Sequence, residues 1–354
     1  MSLTSNQTKV LAAIQDGNSS TEQIATASGV AKSSLTGILN GLISKGLVTK
    51  NEDKSFTVTT AKEGKPEVKE DTSGTVNNSD IEPDLNPGLV TGNNATSVLI
   101  PYLKSEAVGE ELKYALRSWE KNYNDNIRVI VVGDKEDWFS PNIIHIPIEP
   151  HLIKEDCACP SPSMVRNPQA DVTHKIFAAI ASGEISGDFI LSNDDIFLVG
   201  STYLEDVKTL KAFGTLFKQQ RDNEPLRLYQ RNANRTSDLL ADQGLPDHRY
   251  GTHTPMFLNA EKLIEVIEKH KSLENGHLIT SLYFNVLFPN ARPIQIDGSI
   301  NDPILASVYR PDVSIEILDK IFKTRKFINC DSKGWPAVQP FLKSLFPDPS
   351  KYEL

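Results

Sequence analysis

Short apolar segments alternate with amphipathic ones between residues 97 and 195, and this alternation limits the possible folds more than any other feature of the sequence. The run "IRVIVVGD" is short and almost wholly apolar, as is typical of a strand covered on both faces. The segment "GEELKYALRSWEKN" carries its apolar residues at helical spacing. Strands and helices in alternation predict an α/β domain with a mostly parallel sheet and helices on both faces. The predicted strands cover 97–103, 127–134, 142–148 and 188–195, and the predicted helices cover 109–122 and 171–183.

Polar side chains follow three of these strands. Lys104 follows the first, Asp134 ends the second, and the run from Asn193 to Asp195 ends the last. Ligands of such sheets bind beyond the carboxyl ends of the strands, so these residues are expected to converge on one site. The sequence contains neither a glycine-rich dinucleotide fingerprint nor a P-loop, which argues against dehydrogenases and P-loop kinases.

The adjacent acids Asp194 and Asp195 are the least expected feature of these strand ends. Two neighbouring carboxylates after a buried strand repel each other unless a cation or hydrogen-bond donors stabilise them. Oxygen ligands of this kind suit Mg²⁺ or Mn²⁺, and such an ion often joins carboxylates to the phosphates of a nucleotide. The alternative is that Asp194 caps a turn and Asp195 is only solvated.

Residues 1–62 show a separate pattern of three short helices followed by a β-hairpin around a polar turn at 50–54. This order resembles the winged helix-turn-helix of transcription regulators. The resemblance implies that the third helix enters a DNA groove, although docking to a protein is the alternative. The residues that it assigns to DNA contact are Lys32, Ser33, Ser34 and Thr36.

Charge and composition separate this first segment from the rest. Residues 1–62 carry six lysines and four acidic residues, which gives this segment a net charge of +2. Because the whole chain has a net charge of −9, the remaining residues carry −11. Residues 63–95 are rich in Pro, Gly, Asn and acid, and predict a flexible linker before a second domain at 96–354. A mildly basic N-terminal domain therefore precedes a strongly acidic body.

Composition also bounds the cellular setting. An apolar content of 39%, with no uninterrupted apolar run of about 18 residues, argues against an integral membrane protein. The first residues lack the pattern of a secretory signal, so the chain is expected in the cytoplasm, or in the host cytoplasm if it is viral. Its three cysteines, Cys157, Cys159 and Cys330, are expected to be free thiols. Nothing in the sequence indicates an oligomeric state.

The Asp-Asp element at the end of a central strand resembles glycosyltransferases of the A-type fold, which hold a nucleotide-sugar through a metal ion at that point. The helix at 109–122, the strand at 127–134 and the segment "DFILSNDDIFLVG" together resemble the Stealth family of sugar-phosphate transferases. The later segments "GTHTPMFLNAEKL" and "FLKSLFPDPSKYE" are similar to Stealth segments as well. The resemblance implies an A-type glycosyltransferase fold for most of residues 97–354.

One departure from Stealth concerns the opening strand, where Stealth proteins carry an acidic element after a Trp and this chain has Lys104 in "IPYLKS". Ordinary glycosyl transfer is therefore favoured over transfer of a hexose phosphate to a polysaccharide, which remains an alternative. A winged helix joined to such a body is similar to sugar transferases of bacterial viruses and base J pathways. That similarity implies a UDP-sugar or related donor and a hydroxymethylated pyrimidine of DNA as acceptor. A non-enzymatic DNA-binding regulator is the other alternative.

The resemblance to A-type enzymes and Stealth implies roles for individual residues. Asp194, Asp195 and His253 would bind Mn²⁺ or Mg²⁺, with Asn193 shaping the turn beside the nucleotide. For His253, Arg117 and Asp134 the alternatives are, in turn, a structural histidine, an ion pair with a carboxylate of the body, and a simple turn residue. The residues assigned to donor binding are Lys104, Arg117, Asp134, Lys175, Asn193 and Asp194.

Five arginines fall between residues 221 and 249. In an otherwise acidic body they favour contact with the phosphate backbone of a DNA acceptor, although a solvated charged loop is the alternative. The arginines assigned to DNA are Arg227, Arg231 and Arg235. If transfer inverts the anomeric centre, a base must deprotonate the acceptor hydroxyl, and Asp247 is the candidate.

Overall fold

The computed structural model describes residues 5–30, 35, 38–39, 42, 47–51, 55–58, 95–155, 161–216 and 226–354. The chain divides into two compact units, Met1–Ser79 and Asp80–Leu354. Several predictions fall outside the described residues. They concern the assigned DNA contacts at 32–34 and 36, Cys157, Cys159, Arg221 and nearly all of the linker at 63–95.

The smaller unit contains helices α1 (Ser5–Gln15) and α2 (Thr21–Ser28) and an antiparallel hairpin of β1 (Val48–Lys50) and β2 (Phe56–Val58). The predicted capping signal of α2 is present, because Ser20 and Gln23 bond each other's backbone N–H groups. The buried side chains of Val10, Ile24 and Phe56 belong to one apolar core. Two helices and the hairpin are thus confirmed. Most of the third predicted helix lies outside the described residues, so the winged helix stays a prediction.

The larger unit alternates strands and helices as its sequence predicts. Its helices are α3 (Glu111–Asn122), α4 (Pro168–Ala181), α5 (Leu204–Lys208), α6 (Leu228–Asp242), α7 (Ala260–Lys269), α8 (Ser272–Asn275), α9 (Ile279–Leu287), α10 (Ile315–Thr324) and α11 (Trp335–Leu345). Its strands are β3 (Thr96–Tyr102), β4 (Ile127–Gly133), β5 (Ile143–Ile146), β6 (Leu152–Lys154), β7 (Met164–Arg166), β8 (Asp188–Leu191), β9 (Ile196–Leu198), β10 (Lys211–Ala212), β11 (Met256–Asn259), β12 (Ile294–Gln295), β13 (Leu305–Val308) and β14 (Phe327–Cys330).

The central sheet has five strands in the order β11-β8-β3-β4-β5. Strands β8, β3, β4 and β5 run parallel to one another. Strand β11 pairs antiparallel with β8 at the edge of the sheet. The predicted mixed α/β class with a mostly parallel sheet is therefore confirmed. The carboxyl ends of β8, β3 and β4 lie side by side, which brings their polar flanking residues to one edge.

Helices cover both faces of this sheet, because successive side chains of its strands point in opposite directions. Leu99 and Ile130 pack in one core with Ile176 of α4. Val98 and Val129 pack in a second core with Leu116 and Trp119 of α3. The helical stripe predicted for 109–122 is thus the buried face of α3.

The strand predicted to run from 188 to 195 ends at Leu191. Ser192 still donates its backbone N–H to the carbonyl of Leu99 (2.9 Å), and the chain then turns into β9. Strand β9 belongs to a different sheet, of order β13-β14-β9, in which it runs antiparallel to β14. The acidic residues therefore occupy a turn between two sheets, which we call the acidic turn (Asn193–Asp195).

Gly133 ends β4 at φ 123°, and a Cβ built on it would overlap the carbonyl oxygen of Tyr102 on β3. A Gly133→Ala variant is expected to lose roughly 2–4 kcal/mol of unfolding free energy, because backbone strain and steric overlap add. Gly183→Ala is the matched control, since Gly183 has φ 79° and open space around a Cβ. Urea denaturation measures both, and equal losses would contradict the steric part of this prediction.

Candidate functional site

The acidic turn places two carboxyl groups between the sheets. Burial raises the pKa of Asp194 and of Asp195, and the neighbouring charge of Asp195 raises that of Asp194 further. The Asp195 side chain is still 25% exposed, so the pair lies deep but within reach of a solute. Because like charges repel, it is unfavourable for two such close, buried carboxyls to be ionised at the same time.

His253 lies beside the acidic turn, with its Nδ1 atom 3.8 Å from Oδ2 of Asp195. It lies in the loop before β11 at φ 49°, a strained backbone conformation for a residue with a side chain. Burial and then the charge of Arg249 lower its pKa, which favours the neutral imidazole. His253 Nδ1 and Asp195 Oδ1 are both buried, and neither has a hydrogen-bond partner among the described residues. Unsatisfied buried atoms of this kind are unfavourable unless a ligand or water completes them.

Asn329 of β14 supports the acidic turn from the second sheet, and no pattern in the sequence singled it out. Its side chain is fully buried, and its polar amide lowers the pKa of Asp195 against the effect of burial. Its amide is oriented by Ser307 Oγ, which donates to Oδ1 (2.6 Å), and it donates through Nδ2 to Tyr309 Oη (3.3 Å). Asn329 pairs with Ile196 of β9, so a strand far away in sequence lies beside the acidic turn.

Glu111 is a third acid near the turn, at the start of α3. Its side chain accepts a hydrogen bond from the backbone N–H of Val108 (2.9 Å), and burial with the charges of Asp194 and Asp195 raises its pKa to about 8. Burial and the neighbouring acids therefore favour the protonated form of Glu111. Only its position, at the first turn of a helix that covers the sheet, could have suggested it from the sequence.

The ends of β3 and β4 form a second polar group at the same edge. The backbone N–H of Lys104 donates to Asp134 Oδ2 (2.8 Å), so the two predicted residues lie together. Lys104 Nζ pairs with Glu136 Oε2 (2.8 Å), and the hydroxyl of Tyr102 donates to Glu136 Oε1 (2.7 Å). Burial and Glu136 raise the pKa of the Tyr102 phenol most, and the charge of Asp194 raises it further. This network and the acidic turn therefore lie within electrostatic reach.

Lys175 of α4 lies beneath the strand ends, almost completely buried. Its ammonium bonds Asp171 Oδ2 (3.2 Å), and its charge lowers the pKa of Asp194 against the effect of burial. Asp171 also accepts from Arg166 Nε (2.9 Å) and from the backbone N–H of His151 (2.9 Å). Lys175 thus lies close to the acidic turn, already paired with a carboxylate.

Arg117 forms an ion pair with a carboxylate of the body, which was the alternative to its predicted role in donor binding. Its guanidinium makes two hydrogen bonds to Glu353, of 2.8 Å from Nε and 2.6 Å from Nη2, and a third to the carbonyl of Phe346 (3.0 Å). The two charged side chains are 13% and 6% exposed. No contact in the described part of the chain joins Arg117 to the acidic turn.

The residues predicted to meet the acceptor are spread along α6 and its flanking loops. Arg227 is exposed, Arg231 reaches the carbonyl of Leu226 (3.4 Å), and Arg235 donates to the carbonyl of Asn275 (2.5 Å). The carbonyl of Asp247 accepts from Leu216 N–H (2.7 Å). No contact among the described residues places the Asp247 carboxyl against the acidic turn.

The acidic turn offers few side chains to a cation. In the described ranges no cluster of three or more His, Cys, Asp and Glu side chains has an arrangement that could hold a metal ion. The described residues therefore offer fewer ligands than a dedicated protein cage. Mg²⁺ is usually bound by one or two carboxylates together with substrate phosphates and water, so an unpartnered Asp195 oxygen beside Asp194 fits such a shared site.

Within the parts of the chain that the structure describes, no helix has both the length and the apolar content needed to cross a bilayer. Cys330 is the free cysteine of the described residues, and it is buried.

No protein-family model matches the sequence. No curated protein matches it either. Among solved structures, the chain is similar to the apo structure of the bifunctional glycosyltransferase WbbM, at 10% identity and a TM-score of 0.37 over 76% of this chain. It spans about half of that protein, 51% of its length.

A second similar structure is a glycosyltransferase involved in the glycosylation of the major capsid of PBCV-1. The identity is 11% and the TM-score 0.29, over 66% of this chain and 93% of that one. At TM-scores below 0.5, neither similarity supports an argument about activity.

Proposed function

We propose that the larger unit is a metal-dependent glycosyltransferase that moves a sugar from a nucleotide-sugar to an acceptor hydroxyl. The observation that carries this proposal is the acidic turn at the carboxyl end of β8, where Asp195 Oδ1 has no hydrogen-bond partner among the described residues. Two carboxyls with raised pKa values are unfavourable together, and a divalent cation offsets their repulsion. Ligands of open parallel sheets bind at this edge.

The cation would be Mn²⁺ or Mg²⁺, held by Asp194 and Asp195 with His253 nearby. Bound there, it would supply positive charge that stabilises the departing diphosphate. The protein's part would be to position the two carboxyls, through the turn between the two sheets. Asn193 shapes that turn, since its carbonyl accepts from the N–H of Ile196 (3.4 Å).

The nucleoside end of the donor would lie at the ends of β3 and β4, with Asp134 and Lys104. UDP-sugars are the donors we expect. What supports this placement is that the Lys104–Asp134 network and the acidic turn share one edge of the sheet. Lys175 would add positive charge from below, reduced by its own pairing with Asp171.

The acceptor we propose is a hydroxymethylated pyrimidine in DNA. Its support is the winged-helix pattern of residues 1–62, the arginines of α6 and the exposed Arg227 that precedes this helix. A base within a duplex is inaccessible, so flipping or local melting would have to precede transfer. Asp247 is the proposed base if transfer inverts the anomeric centre.

The test is to incubate the protein with Mn²⁺, a panel of nucleotide-sugars, and either hydroxymethylated or unmodified DNA. Digestion to nucleosides and mass spectrometry should show the mass of one sugar on the hydroxymethylated nucleoside alone. Asp194→Ala and Asp195→Ala should each reduce it by about 10²- to 10³-fold. A sugar found on a glycan instead would reject the DNA acceptor, and an added phosphate would indicate hexose-phosphate transfer. Wild-type activity in both Ala variants would reject the site.

A further inference from the structure

The cations predicted to contact the donor are each paired with a carboxylate of the protein. Lys104 pairs with Glu136 at 2.8 Å, Lys175 with Asp171 at 3.2 Å, and Arg117 with Glu353 at 2.6 Å. A partner of this kind offsets most of the charge that a phosphate would otherwise feel. A cation without a carboxylate partner would keep its charge available to a phosphate.

Arg249 is such a cation. None of its guanidinium nitrogens makes a hydrogen bond or an ion pair with any described residue, and its Nε atom is buried without a partner. The guanidinium lies over the ring of Phe213, 5.1 Å from the centroid. An unsatisfied buried donor of a charged group is costly, which favours a ligand that completes it.

The backbone holds Arg249 in place from both directions. Its N–H donates to the carbonyl of Gly214 (3.0 Å), and its carbonyl accepts from the N–H of Phe213 (2.9 Å). Stacking on Phe213 restricts the side chain as well. Arg249 is therefore organised before any ligand arrives.

Arg249 is linked to the acidic turn through the loop that carries His253. It precedes His253 by four residues in the same loop, and its positive charge acts on that histidine. The imidazole of His253 is 3.8 Å from Asp195. No ion pair joins Arg249 to Asp194 or Asp195 among the described contacts, so an anion between them could contact both Arg249 and a cation on the turn.

We propose that Arg249 binds a phosphate of the donor's diphosphate. This inference rests on the proposed function of the acidic turn. In the transfer, the acceptor oxygen bonds to the anomeric carbon, the bond from that carbon to the phosphate oxygen breaks, and its electron pair leaves with the diphosphate. The acceptor proton passes to solvent or a base. A planar guanidinium suits this task, because it donates two parallel hydrogen bonds to a phosphate.

The test is isothermal titration calorimetry with inorganic pyrophosphate, which needs no knowledge of the nucleoside or sugar. With Mn²⁺ present, Arg249→Gln should weaken pyrophosphate binding by about 10- to 100-fold, as expected for charged hydrogen bonds, and Arg249→Lys by less. Arg128→Gln is the matched control. Arg128 pairs with Glu184 at the opposite end of β4, so the same charge change should leave affinity as in the wild type.

A metal-free titration separates the two proposals. Asp195→Asn removes repulsion from the acidic turn and should raise metal-free pyrophosphate affinity, and adding Arg249→Gln should remove that gain. If the wild type and Arg249→Gln bind Mn²⁺ and pyrophosphate equally well, Arg249 does not bind the phosphates. The proposed function of the acidic turn is not contradicted by that result. If the wild type binds no pyrophosphate under either condition, both proposals fail.

Discussion

An Asp195→Asn variant is expected to become more stable than the wild type without metal while losing sugar transfer. Burial and repulsion raise the pKa of Asp194 and of Asp195 in the folded protein. A carboxyl with a raised folded pKa stabilises the fold fully only below its unfolded pKa, and that stability is lost as pH rises through the folded pKa. The metal-free wild type should therefore lose stability between about pH 4 and pH 7.

The asparagine variant lacks one of these two titrations. We expect it to exceed the wild type by about 1–3 kcal/mol in unfolding free energy at pH 8 and to match it at pH 4, since one pKa unit corresponds to about 1.4 kcal/mol. Chemical denaturation in a metal chelator at the two pH values measures this. Asp319→Asn is the control, because Asp319 lies on α10 in an exposed pair with Lys323.

The rate of sugar transfer should fall in the Asp195→Asn variant, although its stability rises. Losing one carboxylate of the acidic turn should reduce turnover by about 10²- to 10³-fold, the range seen when a group that stabilises developing charge is removed. Mn²⁺ should raise the thermal midpoint of the wild type and not that of the variant. A variant that is less stable than the wild type at pH 8, yet fully active, would contradict both parts.

Breaking the Arg117–Glu353 pair is expected to cause the largest loss of stability of any single change discussed for this protein. The bidentate pair joins α3 to the C-terminal segment, and both side chains are mostly buried. Removing one partner leaves the other charge buried and unpaired, at a cost of about 3–5 kcal/mol. Arg117→Met and Glu353→Gln should each show this loss in urea denaturation.

The double variant supplies the control for that pair. Because it leaves no unpaired charge, it should recover part of the stability, with a coupling of about 0.5–3 kcal/mol between the two sites. Additive losses would show that the pair contributes little. If Arg117 also binds the donor, Arg117→Met should weaken pyrophosphate affinity while Glu353→Gln does so less.

Local sequence patterns were sufficient for the elements near the site. The uniformly apolar runs predicted β3, β4 and β8, and the helical stripe of Leu112, Leu116 and Trp119 predicted α3, because strand and helix periods are properties of adjacent residues. They placed the carboxylates of Asp194 and Asp195 correctly after β8. They missed the end of that strand by four residues, since the change of sheet at Leu191 depends on pairing with β14.

What the sequence by itself determined is the mostly parallel sheet and the position of the acidic residues at a strand end, because both follow from the spacing of neighbouring residues. Only the tertiary structure decided the partners of each charge. It paired Arg117 with a residue 236 positions away and brought Asn329 to Asp195. It also left Arg249 without a carboxylate in the described part of the chain. These contacts depend on which distant segments meet, and no local period encodes that.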